Sequence, residues 1–384
     1  MVNRQVEQLY HKAQSAEEIL CKIHSLDEQV ALKNYIGNLY HFISRISGNN
    51  VGLDIHRIFG DENHYKEFLK QLDYYELKML EHFILKKKVH NSFIGDCMFP
   101  TGESVEALGE RYFQDETILS DKDFYDIFWQ FMNSYHLDSL LEEYVKEGRI
   151  YATSYDKNGD NCLGQTLLNP LKDDGDIFVV NFQNTLSSMF TLAHEFGHVY
   201  DYTRFYGGVK DYNEYFYQSF YGEVFPRTFE KLFLDFLIQN RILLDEAEDL
   251  LFESSSINYQ FLLASYLLTL IPDNYLKDGN YETINKETFF QLVKDDFADE
   301  DVIRGYIMNS TYFSVSEDFT YAYGSILSSF MKKAIQEDGF DHPLIEDFLK
   351  IRTKMFQESF LERNDITPDK YVRYHDDEIK VLKK

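Results

Sequence analysis

The sequence predicts a mainly α, multi-helical fold in two lobes, with a small β-sheet next to one helix that carries the chain's metal-ligand motif. Three observations predict it. Apolar residues recur at helical spacing along most of the chain, while period-2 stretches are confined to residues 149–182. At 384 residues the chain also exceeds what one hydrophobic core usually fills, so two lobes around one cleft are expected.

Residues 1–47 carry two helical stretches. Val6, Leu9, Tyr10 and Ala13 mark one apolar face, and Leu32, Tyr35, Ile36, Leu39 and Tyr40 mark the next. Gly48-Asn49-Asn50 ends the pattern, and a loop follows to Asn63. Tyr65 to Lys88 reads as a long helix with Phe68, Leu72, Tyr75, Leu77, Met79 and Phe83 on its apolar side. Lys86-Lys87-Lys88 suits its C-terminus, where cations complement the helix dipole. Asn91 to Thr101, with Gly95 and Pro100, reads as a connector. It divides the chain into an N-terminal helical region, 1–95, and a region that holds the motif, 96–384.

Three more helices are expected from Ser104, the last from Leu137 to Lys146 with Gly148 as its C-terminal stop. The period then changes. Arg149–Tyr155 and Ile177–Phe182 read as strands; Asp156-Lys157-Asn158-Gly159-Asp160 reads as a turn, and Asp173-Asp174-Gly175-Asp176 leads into the second strand. Asn184 or Thr185 can cap the next helix, whose buried side is Leu186, Met189, Phe190, Ala193, Gly197 and Tyr200, and which Gly207-Gly208 ends. Beyond Pro226 the pattern is helical almost throughout. One helix begins near Pro226, others cover 244–254, 257–271 and 287–308, another opens at the capping box Ser314-Val315-Ser316-Glu317, and a last long one covers Leu344–Phe360.

The formal net charge is −27, with the acidic residues spread along the chain. Such a surface repels phosphate backbones, so nucleic acid is not an expected partner. Only Cys21, Cys97 and Cys162 occur, with no C-x-x-C pair, which argues against a disulfide framework or a thiolate metal site and fits a reducing compartment. The N-terminus turns polar at once, and the longest apolar run, Phe261 to Ile271, is too short to span a bilayer. A cytoplasmic protein without membrane segments is expected. The abundant Tyr and Phe, at helical spacing, are read as core packing.

The chemistry concentrates in His194-Glu195-Phe196-Gly197-His198. On a helix, a spacing of four brings both imidazoles to one face, where they can grip one zinc ion. A catalytic zinc takes three protein ligands. The third can be Glu, Asp or His. Glu223, 25 residues beyond His198, is the candidate; Glu230, two helical turns further, could accept a hydrogen bond from a ligand histidine. Pro226 between them requires that the helix start or kink there. Glu195 is read as the general base that takes a proton from water and passes it to a leaving amine, which makes peptide-bond hydrolysis the expected reaction.

The run Asp176-Ile177-Phe178-Val179-Val180-Asn181-Phe182, followed by Phe190-Thr191-Leu192-Ala193-His194-Glu195-Phe196-Gly197-His198, resembles oligoendopeptidase F and its thimet oligopeptidase relatives. The likeness spans residues 95–340, with Glu103–Tyr155 similar to the segment ahead of that family's active site; the N-terminal part is shorter than the family's. The resemblance implies a zinc oligopeptidase that cuts short peptides in an enclosed cleft. It places the third ligand at Glu223, a further glutamate at Glu230, and an oxyanion-supporting tyrosine at Tyr321, with Tyr323 as the fallback. Ahead of that tyrosine, where relatives carry a histidine, this chain has Thr311-Tyr312-Phe313, and Asp201 stands where many carry a further histidine. Losing one transition-state donor commonly costs about two to three orders of magnitude in rate. An impaired zinc protein that binds peptides is therefore the competing expectation, and a metallocarboxypeptidase the third.

Overall fold

The N-terminal periodicity forms α1 (Val2–Leu20) and α2 (Leu26–Ser47). The structure is a computed structural model and describes residues 2–20, 22–23, 26–47, 62–98, 116–152, 164–169, 174–179, 182–205, 221–272, 285–296, 300–309, 315–351 and 357–380. The expected break at Gly48, the turn at Asp156–Asp160, the helix end at Gly207-Gly208 and the residues Thr311–Ser314 lie outside them. So does the start of the helical stretch expected from Ser104. The chain divides into two compact units, Met1–Leu72 with Asp115–Tyr215, and Asp73–Gln114 with Phe216–Lys384. α3 (Glu62–Met98) starts in the first unit and continues in the second.

In the first unit, α4 (Asp121–Ser134) and α5 (Asp138–Glu147) precede β1 (Ile150–Ala152), β2 (Gly164–Asn169), β3 (Asp174–Val179) and α6 (Leu186–Phe205). Ser120 caps α4 by accepting from the Asp123 N–H, and Gly148 ends α5 at φ 67°, ψ 40°, as the glycine stop predicts. The sheet order is β1-β3-β2, with β1 parallel and β2 antiparallel to β3.

This sheet is covered on both faces. Phe178 and Leu167 enter a core with Leu9, Ala13, Leu39 and Phe42 of α1 and α2, and the Phe42 and Phe178 rings stack at 3.7 Å. The alternate residues of β2 and β3 turn toward α6. Double-sided burial explains why Ile177-Phe178-Val179 of β3 reads as a continuous apolar run. Truncating a core phenylalanine of this kind costs about 3–5 kcal/mol.

β3 begins earlier than its sequence suggests. Asp174-Gly175-Asp176, expected to lead into the strand, belongs to it, and Asp176 is buried there because Lys12 reaches its carboxylate at 2.5 and 2.6 Å. β2 was not foreseen at all.

In the second unit, the long helix corrects the expected connector. Asn91–Met98 continues α3, burying Ile94, Cys97 and Met98, so a boundary at residue 95 falls inside a helix. Gly95 serves packing and not chain breakage: a Cβ there would lie 2.9 Å from the Tyr266 ring. Lys86 and Lys87 accordingly sit mid-helix. Lys86 pairs with Glu358, and Lys87 donates to the Ile271 carbonyl.

The centre of this unit is α7 (Val224–Asn240) against α8 (Leu244–Leu270) and, after α9 (Lys286–Val293) and α10 (Glu300–Asn309), against α11 (Val315–Asp338). α8 is one helix where two were expected. Residues 224–234 of α7 are all buried. α12 (Pro343–Ile351) and α13 (Glu358–Arg363) replace the single helix expected to Phe360, since Gln357 is extended at φ −118°, ψ 97°. α14 (Pro368–Ile379), capped by Thr367, completes the unit. Its Glu378 accepts from Lys231 of α7 at 2.7 Å and pairs with Lys332 of α11 at 2.8 Å, all three buried. Among the described residues, no helix is long and apolar enough to cross a membrane.

Candidate functional site

α6 is fixed from its first turn. The Ser188 N–H donates to Thr185 Oγ1 at 3.4 Å, which makes Thr185 the N-cap, and the Ser188 hydroxyl accepts from the Gln183 N–H at 3.1 Å. Leu186, Met189, Ala193, Phe196 and Val199 are fully buried; Phe190, expected among them, is only half-buried. Phe196 packs against Phe128 of α4 and Tyr144 of α5, with ring centroids at 5.7 and 5.5 Å, while the opposite side meets β2 and β3.

A helix held this way presents His194 and His198 on one face. Their rings meet edge to face, centroids 5.1 Å apart and planes at 79°, and both side chains are half-buried. Tyr202, one turn on, stacks on His198 at 6.1 Å. Asp201 is fully buried in the same helix.

Glu195 points toward the sheet and is 2% exposed. Thr166 of β2 donates its hydroxyl to Glu195 Oε2 at 2.6 Å and lies 3.1 Å from the Glu195 carbonyl oxygen. At 2.6 Å the carboxylate is the preferred acceptor, because a charged acceptor gives the shorter and stronger bond. Gly164, two residues earlier on the same face of β2, makes room for the carboxylate: a Cβ there would stand 2.5 Å from Oε1. Neither residue was singled out from sequence. The signal available was a glycine and a threonine at i, i+2, a small-residue stripe of one strand face.

The remaining candidates belong to the second unit. Glu223 is the N-cap residue of α7 and is buried. Pro226 falls in the first turn of the helix, where its missing N–H has no intrahelical role, so the helix starts there as expected. Glu230 is buried, its two oxygens 2.8 and 3.2 Å from Arg227 Nη1. Burial pulls the Arg227 pKa down, but Glu230, and then Glu223 and Tyr321, outweigh it and raise it above the ordinary value. The guanidinium carbon lies 5.1 Å from the Tyr321 ring centre and 5.8 Å from that of Phe261. Tyr321 itself stacks on Phe261 at 4.4 Å and stays half-buried. Arg227, the hub of this cluster, was also missed.

The two tyrosines of α11 separate clearly. Tyr323 is fully buried, its hydroxyl 2.9 Å from His90 Nδ1, and burial raises its pKa well above the ordinary value. It belongs to the core. Gly324 seats α11 on the start of α7: a Cβ there would lie 2.7 Å from Glu223 Cβ and 3.0 Å from the Glu223 carbonyl oxygen. The sequence candidates thus fall in two sets. His194, Glu195 and His198 share α6, and Glu223, Glu230 and Tyr321 gather around Arg227.

No protein-family model matches the chain, and no curated protein matches it. A solved structure described as "a putative oligoendopeptidase F from Bacillus anthracis str. Ames" is similar with a TM-score of 0.49 and 14% sequence identity, over 98% of this chain and 74% of that one.

Proposed function

We propose that the chain is a zinc-dependent peptidase acting on short oligopeptides, with His194, His198 and Glu223 as the zinc ligands. The observation that carries the reading is the His194-Glu195-x-x-His198 face of α6. Two imidazoles stand together there, and a buried carboxylate is held beside them by Thr166. The donor set fits the ion: two histidines and one carboxylate are a known catalytic zinc combination. Bound zinc supplies Lewis acidity toward the scissile carbonyl and lowers the pKa of water to about 7. Glu195 takes the proton from the attacking water at a carboxylate oxygen and delivers it to the leaving amine. Tyr321 is the donor proposed for the developing oxyanion, its ring held by Phe261 and Arg227. Glu230 holds Arg227 in place.

The test is metal content together with turnover of a mixed quenched-peptide library. The purified protein should hold about one zinc per chain, and Glu195→Gln should abolish turnover while zinc is retained. Glu223→Ala should lose zinc more readily than Glu230→Ala. Equal turnover by the wild type and Glu195→Gln overturns the reading. Zinc and peptide binding without turnover in the wild type would favour a peptide-binding protein, and products shortened one residue at a time from the C-terminus would favour a carboxypeptidase.

A further inference from the structure

We infer that Thr166 is the positioning residue for Glu195 and that Gly164 is kept free of a side chain so that the carboxylate can occupy its place. The inference rests on the reading of Glu195 as the proton carrier. Glutamate has three rotatable side-chain bonds, and a proton carrier that samples several rotamers spends little time in the productive one. Here two features of one strand restrict it. The Thr166 hydroxyl donates to Oε2 at 2.6 Å, and Oε1 lies over the bare Cα of Gly164, where a Cβ would come within 2.5 Å.

The strand gives Thr166 little freedom of its own. β2 is tied to β3 along its whole length, with Thr166 opposite Ile177, and Leu167, on the other face, is anchored in the core with Phe178. Branching at Cβ limits Thr166 to few rotamers. A serine would keep the hydroxyl, and a valine would keep the shape while removing the donor. Those two substitutions therefore separate the hydrogen bond from packing.

The experiment uses the full chain with zinc for kinetics and without metal for unfolding. Thr166→Val should lower kcat by about 10- to 100-fold with KM within about twofold, as expected for a lost hydrogen bond to a charged group. Thr166→Ser should recover kcat to within about threefold of the wild type. Gly164→Ala should lower kcat at least as much as Thr166→Val, with zinc content unchanged in both. In metal-free protein, Thr166→Val should lower the melting temperature, and the same change in a Glu195→Ala background should not, since the partner is already gone.

Wild-type kcat in Thr166→Val, failure of serine to rescue, or equal melting shifts in both backgrounds overturns the positioning role. If Thr166→Val does not fold, Thr166→Ala with Thr166→Ser gives the same comparison. The peptidase reading fails separately, by full turnover in Glu195→Gln. The metal-free unfolding comparison still decides whether Thr166 holds Glu195 in that event.

Discussion

Gly324→Ala tests the seat of α11 on α7, and its size can be worked from two distances. An alanine Cβ would stand 2.7 Å from Glu223 Cβ and 3.0 Å from the Glu223 carbonyl oxygen. Carbon pairs settle at about 3.5–4.0 Å, so the first contact is short by about 1 Å. The obstructing atoms are backbone and Cβ, which cannot rotate away, and the two helices must shift. Overpacking of this kind costs about 1–3 kcal/mol, against about 1 kcal/mol gained from alanine's helix propensity, leaving a net loss of up to about 2 kcal/mol. Gly305 supplies the control. It is exposed in α10 with nothing within 4 Å of an added Cβ, so Gly305→Ala should stabilise by up to about 1 kcal/mol. Equilibrium urea unfolding of the two variants should therefore differ by the overpacking cost, about 1–3 kcal/mol, with Gly324→Ala the less stable. Gly324→Ala should also release zinc more readily than the wild type, because Glu223 is the residue displaced. If Gly324→Ala unfolds at the same urea concentration as Gly305→Ala, the packing argument fails.

Two further outcomes concern buried charge. Burial pushes the Glu378 carboxyl up, but Lys231 and Lys332 outweigh it and hold it down to about 2. Glu378→Leu removes the shared partner of both lysines, leaving Lys332 with Asp235 at 3.2 Å, and should cost about 3–5 kcal/mol in urea unfolding, whereas also replacing Lys231 and Lys332 with Met should restore most of the loss. An unaltered midpoint in Glu378→Leu would refute the role assigned to this triad. His90 and His375 are pushed by burial from 6.5 down to about 3 and about 4, respectively. Below pH 6.5 the unfolded chain therefore binds protons that the folded chain refuses, so stability falls with pH. Each histidine contributes about 1.4 kcal/mol per pH unit down to its folded value. Unfolding midpoints at pH 7, 6 and 5 should decline in that order, and His375→Phe should flatten the decline. Equal midpoints across that range would contradict it.

The motif helix was legible because its signal is local: a cap at Thr185, an apolar side, and His194 and His198 one turn apart. Much of the rest depends on tertiary partners. Gly95 resembles a break but is the point where α3 meets Tyr266. Asp176 stands outside the apolar run of its strand until Lys12 is known to pair with it. Ser254-Ser255-Ser256 interrupts the apolar pattern of α8, yet Ser254 and Ser255 are buried, and Asn258 accepts from Ser325 of α11 at 2.7 Å. β2, with one glycine and two leucines, has no strand pattern of its own and is set by pairing with β3. The α14 start did carry a readable signal, Thr367 ahead of Pro368 at the first helical position, and it was overlooked. Arg227 stands three residues before Glu230, a pair that spacing could have shown, but its contacts with Tyr321 and Phe261 come from other helices.

The pleat of β2 makes the chain sensitive to a particular kind of genetic change. Thr166 serves Glu195 on one face and Leu167 serves the α1–α2 core on the other. A point substitution at either position harms one face and leaves the other to function. An in-frame deletion of the Gln165 codon moves every following side chain of β2 to the opposite face, setting Leu167 against the carboxylate and the Thr166 hydroxyl among Phe42 and Phe178. Tolerance along these six residues should therefore be higher for amino-acid replacement than for a one-residue change in length.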